Sequence, residues 1–254
     1  MIQLHVEKIG EGQPLVMLHG WGWHSGIWQP ILERLKQRYQ LYLIDLPGFG
    51  KSPLLTGNYT IEEIALSLLG VTPPKAHWLG WSLGGLVAQW IAIHFPERVT
   101  KLVSVTSTPK FIREGDWPGI DVSTLEKFSE FLIIDHQKTL QDFLELQLRG
   151  SPNKDALFLE LQKIIFSTHR SSLPALLGGL KLLRDIDLRK ETKKILCPSL
   201  YIFGQRDTIV PAAFANVLQT LVPHGQFEVI HRTGHMPFLS QQDDFFALLS
   251  QFLR

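Results

Sequence analysis

Residues 76 to 93 read Ala-His-Trp-Leu-Gly-Trp-Ser-Leu-Gly-Gly-Leu-Val-Ala-Gln-Trp-Ile-Ala-Ile. No other stretch restricts the fold as tightly. The apolar pair Trp78-Leu79 ends a strand-like run, Gly80-Trp81-Ser82-Leu83-Gly84 follows, and Leu86, Val87, Trp90, Ile91 and Ile93 then recur at helical spacing. The pattern predicts a strand, a sharp turn and a helix. Gly80 and Gly84 flank Ser82 because a side chain in so tight a turn would collide with backbone. Such a turn strains Ser82 and pushes its hydroxyl outward, while the following helix aims its positive end at the same spot. A serine presented in this way is placed to attack an acyl carbon.

The rest of the chain supplies a frame for that turn. Residues 2 to 9 and 14 to 18 read as strands around a Gly-Glu-Gly turn, and Leu15-Val16-Met17-Leu18 is apolar throughout, as in a strand covered on both faces. Residues 27 to 37 show helical spacing, and Leu41 to Ile44 read as a strand. Thr60 and Glu63 have capping-box spacing before a helix running to Leu69. Residues 99 to 105, 199 to 203 and 227 to 230 are further strands, and 243 to 253 a closing helix. Alternating strand, loop and helix predicts an α/β fold with a mostly parallel sheet flanked by helices. Between 112 and 184 no strand is evident. Apolar residues fall at 125, 128, 131, 132, 140, 143 and 144, with breaks expected at 117–119, 150–153 and Gly178-Gly179. The expected organisation is a core of residues 1–111 and 185–254 carrying a helical lid, 112–184.

A serine nucleophile needs a base, and the base an orienting carboxylate. In a strand–turn–helix setting their chain order is Ser, Asp or Glu, His. Asp207 follows the strand at 199–203 and His235 the strand at 227–230, both just past carboxyl ends, where parallel sheets build their sites. The expected roles are Ser82 as nucleophile, His235 as general base and then acid, and Asp207 as its orienter. His231, nearer the strand, is the main rival of His235. His19 reads as a hydrogen-bonding support for its loop, and Asp45 as turn chemistry. Acyl transfer also needs oxyanion donors. The Leu83 backbone N–H is one candidate. Trp21, in His19-Gly20-Trp21-Gly22, is the other.

Composition narrows the alternatives. At 44% hydrophobic and 19% charged, the chain is ordinary for a soluble globular protein, and a net charge of +1 gives no drive toward nucleic acid. No apolar stretch reaches the length of a membrane span, and the early run Leu15–Leu18 is too short for a signal peptide, so a soluble cytoplasmic protein is expected. A single cysteine, Cys197, excludes an internal disulfide. No cluster has metal-ligand spacing, and Gly48-Phe49-Gly50-Lys51-Ser52 has its first glycine misplaced for a phosphate loop.

Taken together, His-Gly-Trp-Gly, Asp-Leu-Pro-Gly-Phe-Gly-Lys-Ser, Gly-Trp-Ser-Leu-Gly-Gly, His-Phe-Pro-Glu-Arg-Val and the Asp207 and His235 loops resemble the α/β-hydrolase family along the whole chain. Trp81 within the turn, Asp116-Trp117-Pro118-Gly119-Ile120 and Gly178-Gly179-Leu180 are most similar to its branch of esterases that demethylate a pimeloyl group carried on an acyl-carrier protein, a step of biotin synthesis. That resemblance implies a monomeric serine esterase without cofactor or metal. It implies substrate contacts from Trp21, Ser82, Leu83, Phe143, Gln147 and His235, and an acidic carrier held by basic lid residues. Lys138, Arg149, Lys154 and Lys163 are the candidates, with Arg170, Lys181 and Arg184 also in the basic second half. Asp142, four residues after Lys138, departs from the pattern. The triad alone equally accommodates a general short-chain carboxylesterase, a thioesterase or a carbon–carbon bond hydrolase, because the lid shapes the pocket. A catalytically idle receptor on the same scaffold is the remaining alternative.

Overall fold

The computed structural model describes residues 2–166 and 171–254. Seven strands form one sheet: β1 (Val6–Ile9), β2 (Gln13–Leu18), β3 (Tyr39–Ile44), β4 (Ala76–Trp81), β5 (Val99–Val105), β6 (Ser199–Gly204) and β7 (Gln226–Ile230). Their order is β1-β3-β2-β4-β5-β6-β7. Every pairing is parallel except that of the edge strand β1 with β3. The first strand is shorter than the expected 2–9.

Before the sheet's centre come α1 (Leu32–Leu35) and α2 (Ile61–Leu69), then α3 (Leu83–His94). The helix expected over 27–37 is instead a 3-10 turn, Ser25–Ile31, leading into α1. Pro30 within it has no N–H to extend an α-helical ladder. The helix α2 starts as expected, with the Glu63 N–H donating to the Thr60 hydroxyl (3.2 Å). The helix α3 packs on β4 and β5, and its residues are almost all buried, which explains its apolar character on every face.

Between β5 and β6 the chain runs through α4 (Val122–Ile134), α5 (His136–Leu148), α6 (Lys154–Ile165) and α7 (Leu173–Asp185). The expected break at Gly178-Gly179 is absent, because both glycines lie inside α7. A Cβ at Gly178 would stand 2.5 Å from the Tyr59 ring, and one at Gly179 2.7 Å from Trp21 Cδ1. These glycines let the helix press against two aromatics; they do not end it. Of the apolar positions in α4, Leu125 and Leu132 are buried and Phe131 is 62% exposed. The chain closes with α8 (Phe214–Leu221), α9 (Pro237–Ser240) and α10 (Gln242–Phe252). The parallel register brings the carboxyl ends of β2, β4, β5, β6 and β7 to one edge of the sheet. No helix among the described residues is long and apolar enough to cross a membrane.

Candidate active site

Ser82 follows β4 directly, with φ 53° and ψ −117°, a strained conformation for a residue with a side chain. Strain of this kind costs on the order of 1–3 kcal/mol and persists only where the surroundings over-determine it. Here the Ser82 N–H donates to the Val105 carbonyl (3.0 Å), and the Ser82 carbonyl accepts from the Ser107 hydroxyl (2.7 Å) and from the Leu86 N–H at the start of α3 (3.1 Å). A Cβ at Gly84 would lie 2.5 Å from the Leu18 carbonyl oxygen, and one at Gly80 would fall on the Gly84 carbonyl. Both glycines are sterically required.

His235 and Asp207 meet across the ends of β6 and β7. His235 Nδ1–H donates to Asp207 Oδ2 (2.7 Å), and Asp207 Oδ1 accepts from the N–H groups of Ile209 (2.8 Å) and Val210 (3.1 Å). The carboxylate is thereby fixed on both oxygens and the imidazole held in one tautomer. His235 Nε2 is buried and makes no hydrogen bond among the described residues. It is the nitrogen that a base opposite the serine needs free. His231 is exposed and stands outside this arrangement. The His235 backbone is pinned as well: its N–H donates to the Gln147 carbonyl (3.2 Å), and its carbonyl accepts from Trp81 Nε1 and the Thr106 hydroxyl, each at 2.9 Å.

Trp81 and Thr106 carry a role that sequence reasoning did not assign. Trp81 bonds the His235 loop and packs beside Gly20, where a Cβ would sit 3.0 Å from its ring. It therefore ties the Ser82 turn to the loops after β2 and β7. Thr106 follows β5 at φ 39°. Its place at a strand's carboxyl end was the available signal.

The two candidate oxyanion donors are oriented by different means. Leu83 is the first residue of α3, so its N–H has no acceptor in the helix. Trp21 is held by its indole, whose Nε1 donates to the Leu176 carbonyl of α7 (2.8 Å). Neither backbone N–H donates to another group among the described residues. Behind Trp21, His19 Nδ1–H donates to the Gly20 carbonyl (2.8 Å), and Nε2 accepts from the Leu46 N–H (2.9 Å). Asp45 accepts from the N–H groups of Ser25 (2.7 Å) and Lys51 (2.9 Å). Burial holds His19 down at about 4, against the pull of Asp45, so this imidazole is a neutral strut.

Ser82 lines a cavity of about 320 Å³ together with Trp21, Phe111, Phe128, Phe143 and Leu183. Its exposed borders are Thr124, Arg149 and Thr208. Phe143 packs edge-to-face on Trp21 (5.2 Å between ring centroids) and reaches the cavity. Gln147 is fully buried and stands behind it: Oε1 accepts from Trp23 Nε1 (3.0 Å), and its carbonyl holds His235. Of the candidate docking residues, Arg149 borders the cavity and Lys154 lines a neighbouring cleft of about 630 Å³. Lys138 is paired with Asp142, and Lys163 is exposed on α6. Arg170 lies outside the described residues. Burial pushes the Cys197 thiol up to about 11, far from thiolate chemistry at neutral pH. No group of three or more His, Cys, Asp or Glu residues that could hold a metal occurs among the described residues.

Curated relatives cover nearly all of the chain. A pimeloyl-[acyl-carrier protein] methyl ester esterase of Aliivibrio salmonicida (strain LFI1238) is 37% identical over 251 residues, 99% of this chain and 96% of its own. One from Legionella pneumophila (strain Corby) is 39% identical over 254 residues, all of both chains. Among solved structures, an esterase from Exiguobacterium antarcticum superposes with a TM-score of 0.89 at 26% identity, covering 98% of this chain and 94% of its own. The family model described as the alpha/beta hydrolase fold matches residues 13–242. The chain belongs to the α/β-hydrolase family.

Proposed function

We propose that the chain is a serine carboxylesterase that hydrolyses the methyl ester of a pimeloyl group carried on an acyl-carrier protein, freeing the carboxylate for biotin synthesis. The ester-hydrolase class follows from relatives named esterases on the same fold. The observation that supports the mechanism is the His235–Asp207 pair at the same edge of the sheet as a strained Ser82, with His235 Nε2 unengaged among the described residues.

In the proposed course, His235 Nε2 takes the Ser82 proton as Oγ attacks the ester carbonyl. The oxyanion is received by the N–H groups of Trp21 and Leu83, each worth about 3 kcal/mol of transition-state stabilisation. Collapse expels methoxide, which takes the proton from His235 and leaves as methanol. Water, activated by the same imidazole, then hydrolyses the acyl-enzyme. Residues 112–184 act as the lid, and the narrow apolar cavity receives the methylene chain, which suits its small volume. No cofactor enters this scheme, and a monomer suffices for it.

Purified enzyme and its Ser82→Ala variant, given pimeloyl-carrier-protein methyl ester and a short nitrophenyl ester, test the reading. Ser82-dependent demethylation of the carrier-bound ester is the expected result. Cleavage of the small ester alone would leave a general carboxylesterase and remove the proposed substrate, and turnover of neither would leave a binding scaffold.

A further inference from the structure

Several basic side chains in and beside the helical insertion already have acidic partners. Lys138 pairs with Asp142, Lys181 and Arg184 with Asp185, and Arg113 with Asp121. Lys110 and Arg189 share Glu114 and Asp187. Lys127, Lys154 and Lys163 have no ion pair among the described residues, and neither have three exposed arginines at the carboxyl edge of the sheet, Arg149, Arg206 and Arg232.

The arginines also belong to one rim. The Arg206 guanidinium donates to the Gly150 carbonyl (3.2 Å), and its stem fills the place a Gly150 side chain would take. The Arg206 N–H donates to the Thr233 carbonyl (2.8 Å), and the Arg232 N–H to Gln205 Oε1 (3.2 Å). Three loops therefore interlock with one uncompensated arginine on each. Arg232 keeps φ 58°, where glycine or asparagine would fit more easily.

The rim lies where an acyl chain would leave the site. Arg149 and Leu146 line both the cavity above Ser82 and the adjoining cleft of about 630 Å³, and Thr208, two residues past Arg206, borders the cavity. The cleft's own lining is mixed, Arg149 and Lys154 against Asp142, Glu145 and Asp155, so the uncompensated positive charge of the rim lies above the cleft, at Arg206 and Arg232.

We propose that Arg149, Arg206 and Arg232 form the docking surface for the carrier that delivers the acyl chain, and that the carrier presents an acidic face there. The proposal rests on the carrier-bound substrate inferred above. It places the carrier over the loops that bear Asp207 and His235, away from Lys138 and Lys163. Complementary fields of this kind act mainly on encounter and fall with salt.

The test compares carrier-bound methyl ester with a small soluble methyl ester in an Arg206→Glu/Arg232→Glu enzyme. The double variant should lose tenfold or more of kcat/KM on the carrier-bound ester, through KM, while changing less than about twofold on the small ester. Wild-type kcat/KM on the carrier substrate should fall with added salt, and that of the variant should respond less. If the double variant does not fold, Arg206→Gln/Arg232→Gln removes the charge without repulsion and is read by the same ratio. Equal losses on both esters would overturn the proposal, because the arginines would then merely support the catalytic loops. So would an unaffected double variant beside a Lys163→Glu enzyme that loses only carrier activity. Wild-type enzyme inert toward the carrier-bound ester would remove the underlying substrate reading, and this proposal with it.

Discussion

Gly179 is where α7 presses against Trp21, whose N–H we assign to the oxyanion. In an ordinary helix interior, glycine is about 1 kcal/mol worse than alanine, so Gly179→Ala should stabilise α7. Here the new Cβ would press on Trp21 Cδ1 at 2.7 Å, and helix backbone cannot yield. Overpacking of that kind costs about 1–3 kcal/mol, which cancels the propensity gain. The indole must move, and with it the Trp21 N–H that we assign to the oxyanion. Gly179→Ala should therefore keep Tm within a few degrees while kcat on a small ester falls tenfold or more. An unchanged kcat would separate Trp21 from the oxyanion. Asp207→Asn tests the other side of the site. It keeps the volume but offers His235 a mixed donor and acceptor, so kcat should drop by about 10⁴ with little change in KM. A loss under tenfold would mean that another group orients His235.

At the scale of elements, the two segments joining the helical insertion to the sheet are fastened to each other. The Leu188 N–H donates to the Pro109 carbonyl (2.9 Å). Lys110 bonds Glu114 (2.8 Å) and Asp187 (3.3 Å), and Arg189 bonds Asp187 (2.7 Å) and Glu114 while lying over Trp117. The Arg189 guanidinium, then Lys110, hold the Asp187 carboxyl down at about 2, so the network stays charged through the neutral range. Replacing Arg189 by methionine keeps contact with Trp117 but leaves Lys110 to face two carboxylates alone. Hydrogen exchange at residues 110–120 should quicken by about fivefold, corresponding to about 1 kcal/mol of local stability, while β2 and β4 stay protected. Protection unchanged at 110–120 would show that the backbone bond at Leu188 suffices. The network itself was not visible in sequence, because its members come from two segments more than seventy positions apart. The placement of Ser82, Asp207 and His235 at the carboxyl ends of strands was legible for the opposite reason. Each is announced by its own local signal, a strand's carboxyl end or a glycine-flanked turn. Gly178-Gly179 misled for want of its tertiary partners: a glycine pair reads as a break until Tyr59 and Trp21 are seen against it. The exposure of Phe131 was not legible, because helical spacing marks a face without saying whether anything covers it.

For the molecule as a whole, the most informative titration is that of His19. Its ring joins the loop after β2 to the loop after β3, through Gly20 and Leu46, and both sit at the sheet's catalytic edge. Desolvation holds its folded value at about 4, below an unfolded value of 6.5. Above 6.5 the ring is neutral in both states and stability does not depend on it. As pH falls through 6.5, the unfolded chain takes up a proton that the folded chain refuses, so folding stability declines. The decline continues until the folded ring also protonates near 4. A separation of this size corresponds to about 3 kcal/mol. Asp45 adds to the same slope at lower pH, since His19 and the N–H groups of Lys51 and Ser25 outweigh burial and hold its carboxyl below the usual range. Urea unfolding at successive pH values should therefore show a loss between 6.5 and 4 that shrinks by about one proton's slope in His19→Gln, a side chain that can still accept from Leu46. An equal slope in both proteins would assign the acid sensitivity elsewhere, with His77, whose value burial and Lys101 also lower to about 4, as the next group to replace.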